Sequence, residues 1–207
     1  MNSMPRHLKI GIILIAIGGI VTFVYFFGIV GRIRSIVQQP ETEANPFKSP
    51  SVPLHEAGDP PMDVKVFFPA ASGTSILTSE QRMIFKSKEV PNRAKQILQI
   101  VMDGPKGGAT LMPAVPKDTK LQEVFLATDG TLFVDFSSAI SVNHPGGTVN
   151  EQATIYSIVD SLLFNLPELH QVKILVGGAE QETLAGHCLL LLPFSLDLSM
   201  TDQPHEN

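Results

Sequence analysis

The sequence predicts an α+β fold: two helices packed on one face of a mainly antiparallel sheet, preceded by one transmembrane helix. Three observations carry this expectation. An uncharged apolar run extends from Ile10 to Val30. Beyond residue 62, short segments alternate apolar and polar side chains with the period of a strand. Two longer stretches, one after Pro91 and one after Thr148, repeat apolar side chains with the period of a helix.

The apolar run reads IGIILIAIGGIVTFVYFFGIV. A helix needs about 20 such residues to cross the hydrocarbon core of a bilayer. A cleaved signal peptide has a shorter apolar region and a small-x-small exit, and neither is found here. The run is therefore expected to stay in the membrane. Arg6 and Lys9 precede it and Arg32 and Arg34 follow it, so charge barely sets the orientation; the short amino-terminal tail favours N-inside. Gly18 and Thr22 stand four apart, a small-xxx-small spacing that admits self-association of the helix. The organisation expected is a tail over 1–9, the span over 10–31, a Pro/Glu-rich linker over 32–61, one domain over 62–194 and a disordered tail over 195–207.

Within the domain, DVKVFF from Asp63 alternates as a strand, and RMIFKSKEV from Arg82 reads as a weaker one. Asn92 is placed to cap a helix in which Ala94, Ile97, Leu98 and Val101 share one face; Gly104-Pro105 stops it. Leu121 to Ala127 and Thr131 to Phe136 form a hairpin across Thr128-Asp129-Gly130. The long helix runs from about Val149 to Leu166, and Thr148-x-x-Glu151 has the pattern of a capping box. Its apolar face is broad, taking in Ala153, Ile155, Tyr156, Ile158, Val159 or Asp160, Leu162 and Leu163. Residues 172–176 read as the next strand, and residues 187–192 as a last one.

Composition limits the function. The net charge is −5. The four basic residues flanking the apolar run leave 11 basic against 20 acidic residues from Ser35 onward. A nucleic-acid binder needs a basic face, so no nucleic acid is expected as a partner. Cys188 is the only cysteine, which excludes an internal disulfide and a Cys-rich zinc site.

The chemical candidates are few. His144, Gly146 and Gly147 precede the long helix, where an anion could sit; with one histidine and no nearby cation, the stretch reads as a turn. Asp135 lies inside a strand, about 20 Å of extended chain from Asp129, so the two cannot act as a carboxylate pair. Asp135 is expected to be solvated or bonded to backbone. His187 and Cys188 should point to opposite faces of a strand; His187, after Gly186, satisfies a local backbone group, and Cys188 is a small buried hydrophobe. No two of these groups are expected within hydrogen-bond reach. No catalytic set, cofactor or metal is expected. Asp135, His144, Gly146, Gly147, Gly186 and His187 remain as interaction or structural candidates.

The words VKVFFP, ILQIVMDGP, LFVDFSSAIS, HPGGTVNEQATIYSIVDSLL, VKILVGG and ETLAGH, in that order, resemble the GerMN domain family, named for a spore-germination protein. The resemblance covers Asp63 to about Phe194. It implies a module outside the cytoplasm behind a membrane or lipoprotein anchor, with a core similar to ring-building folds of sporulation complexes that are assembly modules without known catalysis. It also tips the orientation to a carboxy-terminal domain outside the cytoplasm. The chain departs in carrying one copy of the domain, and in GHCLLLLPF, where members often have an acid after the Gly-His. The function expected is a membrane-anchored, non-enzymatic interaction module of the cell envelope. Its partners would be the membrane, through Ile10 to Val30, and envelope proteins. The alternative is a wall-modifying enzyme or a peptidoglycan- or small-ligand-binding module. A deep pocket joining His144, Asp135 and His187 would favour the alternative.

Overall fold

Val64, Val66 and Phe68 alternate along one face of the first strand and enter the main core, while Phe67 leaves on the other face for a smaller cluster with Leu77 and Ala153. In the computed structural model of the protein, residues 53–71 and 76–201 are described, together with Phe23. The chain divides into two units, Met1–Ser51 and Val52–Asn207, and the strands and helices named below belong to the second. The transmembrane helix expected at 10–31, the tail before it and most of the linker lie outside the described residues. Among the described residues, no helix is long and apolar enough to cross a membrane.

Strand β1 (Pro61–Pro69) pairs antiparallel with β2 (Leu77–Phe85). The second strand begins earlier than the expected Arg82, because TSEQR is polar and hides an edge strand. Those polar groups pair locally: Arg82 Nε lies 2.8 Å from Glu80 Oε1, and the Glu80 carboxylate accepts the amides of Lys106 and Gly107. The strand ends at Phe85, and Val90-Pro91 opens helix α1 (Val90–Asp103). Glu89, not Asn92, occupies the N-cap position. Ala94, Ile97, Leu98 and Val101 are buried as the spacing requires. Arg93 is buried too, its guanidinium 2.7 Å from Glu168. Gly104, at φ +85°, ends the helix.

The hairpin β3 (Leu121–Leu126) and β4 (Thr131–Phe136) is antiparallel. Asp129 Oδ1 accepts the Thr131 amide at 2.9 Å. Short helix α2 (Ala139–Val142) and long helix α3 (Thr148–Asn165) then cross over to β5 (Gln171–Val176), which runs parallel to β4. The architecture is α+β, but one expectation is corrected. There are two sheets, β1-β2 and β3-β4-β5, in place of one, and α3 packs against β1, α1 and β5. Its apolar face is so broad because the helix is buried on nearly every side.

A helix buried this way must place its polar side chains with care. Ser161 Oγ accepts the Phe67 amide at 2.9 Å. Asn165 Oδ1 accepts the Lys65 amide at 2.9 Å, and its Nδ2 donates to the Lys65 carbonyl at 2.7 Å. Together they close part of the edge of β1 that β2 leaves open, so no unpaired ladder is presented there.

The carboxy-terminal region departs furthest from expectation. No strand forms over 187–192; only isolated bridges, Thr183 with Leu189 and Val172 with Phe194, stand in its place. The tail expected to be disordered from 195 is ordered as far as Thr201. It includes a 3-10 turn at Leu198–Met200 and a bridge from Thr201 to Leu77. Part of the linker also docks: His55 stacks on Phe85 at 4.0 Å between ring centroids. Ser161→Ala leaves the Phe67 amide buried without a partner, and should lower unfolding free energy in urea by about 1–3 kcal/mol; an unchanged midpoint would refute the edge-closing role.

Candidate functional site

Glu151 lies in the first turn of α3, four residues before Ile155 and seven before Ile158, on the buried face. Its side chain makes no capping box: Gly147 occupies the N-cap position without a side-chain bond, and Glu151 turns inward to complete burial. Oε2 accepts the amides of Ala185 at 3.2 Å, His187 at 3.1 Å and Cys188 at 2.8 Å. Oε1 accepts His187 Nδ1–H at 2.8 Å. The backbone of 185–188 is thus wrapped around one carboxylate, and this curvature is why the segment is not a strand. Burial alone would raise the pKa of Glu151. The bonds from Cys188, the His187 ring, Ala185 and the His187 amide outweigh it and hold the group at about 2.

His187 is half exposed. With Nδ1 donating to an ionised carboxylate, the ring is fixed and Nε2 is left as its other polar atom. The Gly147 amide lies 3.3 Å from the same Nδ1, but a nitrogen that carries a proton cannot accept it, so the carboxylate contact decides the tautomer. The expectation that His187 satisfies a local backbone group is corrected by this pair: its ring bonds a carboxylate that was not among the candidates. Its acid was missing from the candidates because Thr148-x-x-Glu151 mimics a cap. The signal that could have found it is the position of Glu151 on the apolar period of the helix.

The other candidates are placed apart. Thr154 Oγ1 donates to the Ala114 carbonyl at 2.7 Å and lies 2.9 Å from His144 Nε2. The hydroxyl proton is committed, so Nε2–H must donate to it. His144 Nδ1 in turn accepts the Gly146 amide at 3.0 Å. Burial holds His144 below the ordinary histidine pKa, the Glu151 charge opposing, and both ring nitrogens are used in a neutral ring. Gly146 and Gly147 take φ of +75° and +89°, as a turn into α3 demands. Gly186, at φ +109°, donates its amide to Thr183 Oγ1 at 3.1 Å. Asp135 is buried, and its Oδ1 accepts the Gly178 amide at 2.9 Å; of the two expectations for it, the backbone bond is the one found. Cys188 is partly exposed, with Sγ 3.7 Å from the Thr148 carbonyl. Burial, then the Glu151 charge, push its thiol pKa up, so it stays protonated and weakly nucleophilic at neutral pH.

A cleft of about 420 Å³ lies beside His144, walled by Pro113, Ala114, Pro116 and Pro145, with Lys117 and Asn150 among its lining. Neither Asp135 nor His187 lines it. Two further buried ionisable groups were not singled out from the sequence. Lys173 Nζ donates to the carbonyls of Leu190 and Leu191 and pairs with Glu180 at 3.0 Å. Asp160 is fully buried on α3. Among the described residues, no three His, Cys, Asp or Glu side chains stand together as a group that could hold a metal ion.

The Glu151 geometry makes stability depend on pH. Its folded pKa of about 2 lies below the ordinary 4.5, so its contribution is present above the ordinary value and is lost as pH falls towards 2. The shift corresponds to about 3 kcal/mol. Glu151→Gln should lower unfolding free energy at pH 7 by about that amount, and should fall less steeply than the parent below pH 4.5. Urea melts across this range check both. Gly146→Ala or Gly147→Ala should cost about 1 kcal/mol in the same assay, from backbone strain alone. Their added methyl groups would meet nothing closer than 3.8 Å.

The fold has counterparts among known proteins. A family model described as Germane, sporulation and spore germination, matches residues 65–182. The first GerMN domain of the sporulation protein GerM from Bacillus subtilis is 20% identical with a TM-score of 0.52, covering 66% of this chain and 97% of that one. The tandem GerMN domains of the same protein give 20% identity and a TM-score of 0.52 over 66% of this chain; the match spans 46% of the tandem chain, about half its length. A candidate lipoprotein from Clostridium perfringens is 25% identical with a TM-score of 0.48, covering 68% of this chain and 92% of that one. No curated protein matches the sequence. The family match takes in more than half of the chain, and with it the second half of β1, all of β2 through β5 and Glu151: the chain belongs to the Germane family of sporulation and spore-germination domains.

Proposed function

We propose that the protein is a membrane-anchored, non-enzymatic interaction module, acting outside the cytoplasm in an envelope assembly related to sporulation or germination. The observation that carries this reading is the use made of its ionisable groups. Glu151, His144 and Asp135 are each bonded to backbone or to a neighbouring hydroxyl. These bonds shape loops; none sets a nucleophile beside a base. The surface next to them is apolar: Leu189, Leu191, Leu192 and Leu196 are between 43% and 76% exposed within eight residues. Exposed apolar side chains so close in sequence suit contact with another protein. The Ile10 to Val30 run supports the anchor, and the family supports an orientation with Met62–Asn207 outside.

A second reading has one observation in its favour. The cleft beside His144 is apolar and proline-walled, with Lys117 in its lining, and would suit a small ligand with an apolar body. His187→Ala and Cys188→Ser, if folded and normally abundant, should leave the phenotype of a deletion complemented, whereas Leu189→Glu with Leu192→Glu should not. A single-site variant at His144, Asp135, His187 or Cys188 that folds yet behaves as the deletion would overturn the non-enzymatic reading. Protease added to intact spheroplasts should digest the domain; survival until lysis would reverse the orientation.

A further inference from the structure

Residues 194–201 cross α3 as a narrow band. Phe194 and Val172 of β5 exchange backbone hydrogen bonds at 2.8 and 2.9 Å. The Phe194 ring meets Tyr156 of α3 edge-on at 6.1 Å. The Asp197 amide donates to Asp160 Oδ1 at 3.1 Å. Leu198 covers the cluster of Phe67, Leu77 and Ala153, and Thr201 bridges to Leu77 of β2. The band therefore ties one sheet to the other across the central helix.

What lies beneath it is badly satisfied. Asp160 is fully buried, and among the described residues Oδ2 has no hydrogen-bond partner. Ser157 Oγ, one turn earlier on α3, is also buried with no partner among the described residues. The cations on elements packed against α3 are engaged with other groups. Lys65 of β1 lies 5.2 Å from the Phe164 ring centroid, Arg93 and Lys95 of α1 pair with Glu168 and Glu123, and Lys173 of β5 pairs with Glu180. The titratable groups that act on Asp160 or feel it are Asp197 on the band and Tyr156 on its own helix. An ionised Asp160 is thus a buried anion with one amide bond and a like charge beside it, an arrangement that costs several kcal/mol unless water enters.

We propose that residues 194–201 are a releasable strap, held shut while Asp160 is protonated and loosened when it ionises. Lifting the strap hydrates Asp160, separates it from Asp197 and uncovers the Phe67, Leu77 and Ala153 cluster. Burial pushes the Asp160 pKa up to about 7, with the Asp197 amide opposing and the Asp197 charge adding. The direction follows from linkage: closure is fully supported below the ordinary carboxylate value, weakens as pH rises from there to about 7, and changes little above. The device is independent of the interaction role proposed above.

The test is hydrogen exchange by mass spectrometry on the full-length chain in detergent, at pH 5 and pH 8, after correction for the intrinsic rate. Protection of 194–201 should fall at least about tenfold at pH 8, the equivalent of one pKa unit, while peptides from α1 keep theirs. Asp160→Asn should make protection equal at the two pH values. No fall in the parent, or the same fall in Asp160→Asn, would overturn the proposal. Should Asp160→Asn not fold, Asp197→Asn decides: by removing the neighbouring charge it should move the midpoint of loosening to lower pH, and an unmoved midpoint would equally overturn it.

Discussion

One carboxylate buried in the first turn of a helix determines how the last quarter of the domain is arranged. Glu151 accepts three amides from a single short loop and a ring N–H from the same loop. A buried anion is tolerated only when its lone pairs are met, so the loop must curl around it. That curl removes the strand which residues 187–192 would otherwise form. It fixes the direction of the His187 ring, keeps Cys188 a thiol, and sends the chain onward over the outer side of β5, where Lys173 takes up two more carbonyls.

The same economy governs the rest of α3. The helix sits between two small sheets, and its polar side chains substitute for a missing strand. Ser161 and Asn165, in its last turns, meet β1, while Glu151, in its first turn, meets the 185–188 loop. A two-stranded pair such as β1-β2 is marginal by itself. Side chains of one helix, and the segment that crosses it, join the two sheets into a common core. Asp160 and Ser157 are the exceptions on this helix: among the described residues Asp160 is bonded through Oδ1 alone and Ser157 Oγ is enclosed without a partner.

Much of the fold was legible because period and burial agree. Ala94, Ile97, Leu98 and Val101 point inward as their spacing requires, and the Asp129-Gly130 turn joins β3 to β4. Legibility failed where polar residues do structural work. TSEQR in β2 looks like a loop because an edge strand need not be apolar. Glu151 looks like a cap because cap and buried anchor share one sequence pattern; only the three-dimensional course of 185–188 separates them. Likewise, the parallel pairing of β4 with β5 and the division into two sheets leave no mark in strand periodicity. The ordering of 195–201 rests on Asp197 and Leu198, two ordinary residues in a polar tail.

The amide cluster around Glu151 also bears on how such a surface can change over time. The carboxylate reads N–H groups, and only His187 adds a side chain to the set. Every residue type except proline offers an N–H. Ala185 could therefore become almost anything, and Cys188 could be replaced by any residue that fits its half-covered niche, without losing the bonds that shape the loop. The chemistry shown to the outside can drift while its scaffold stays fixed from within, which frees Leu189, Leu191 and Leu192 to be rewritten for a different neighbour while buried Leu190 is kept.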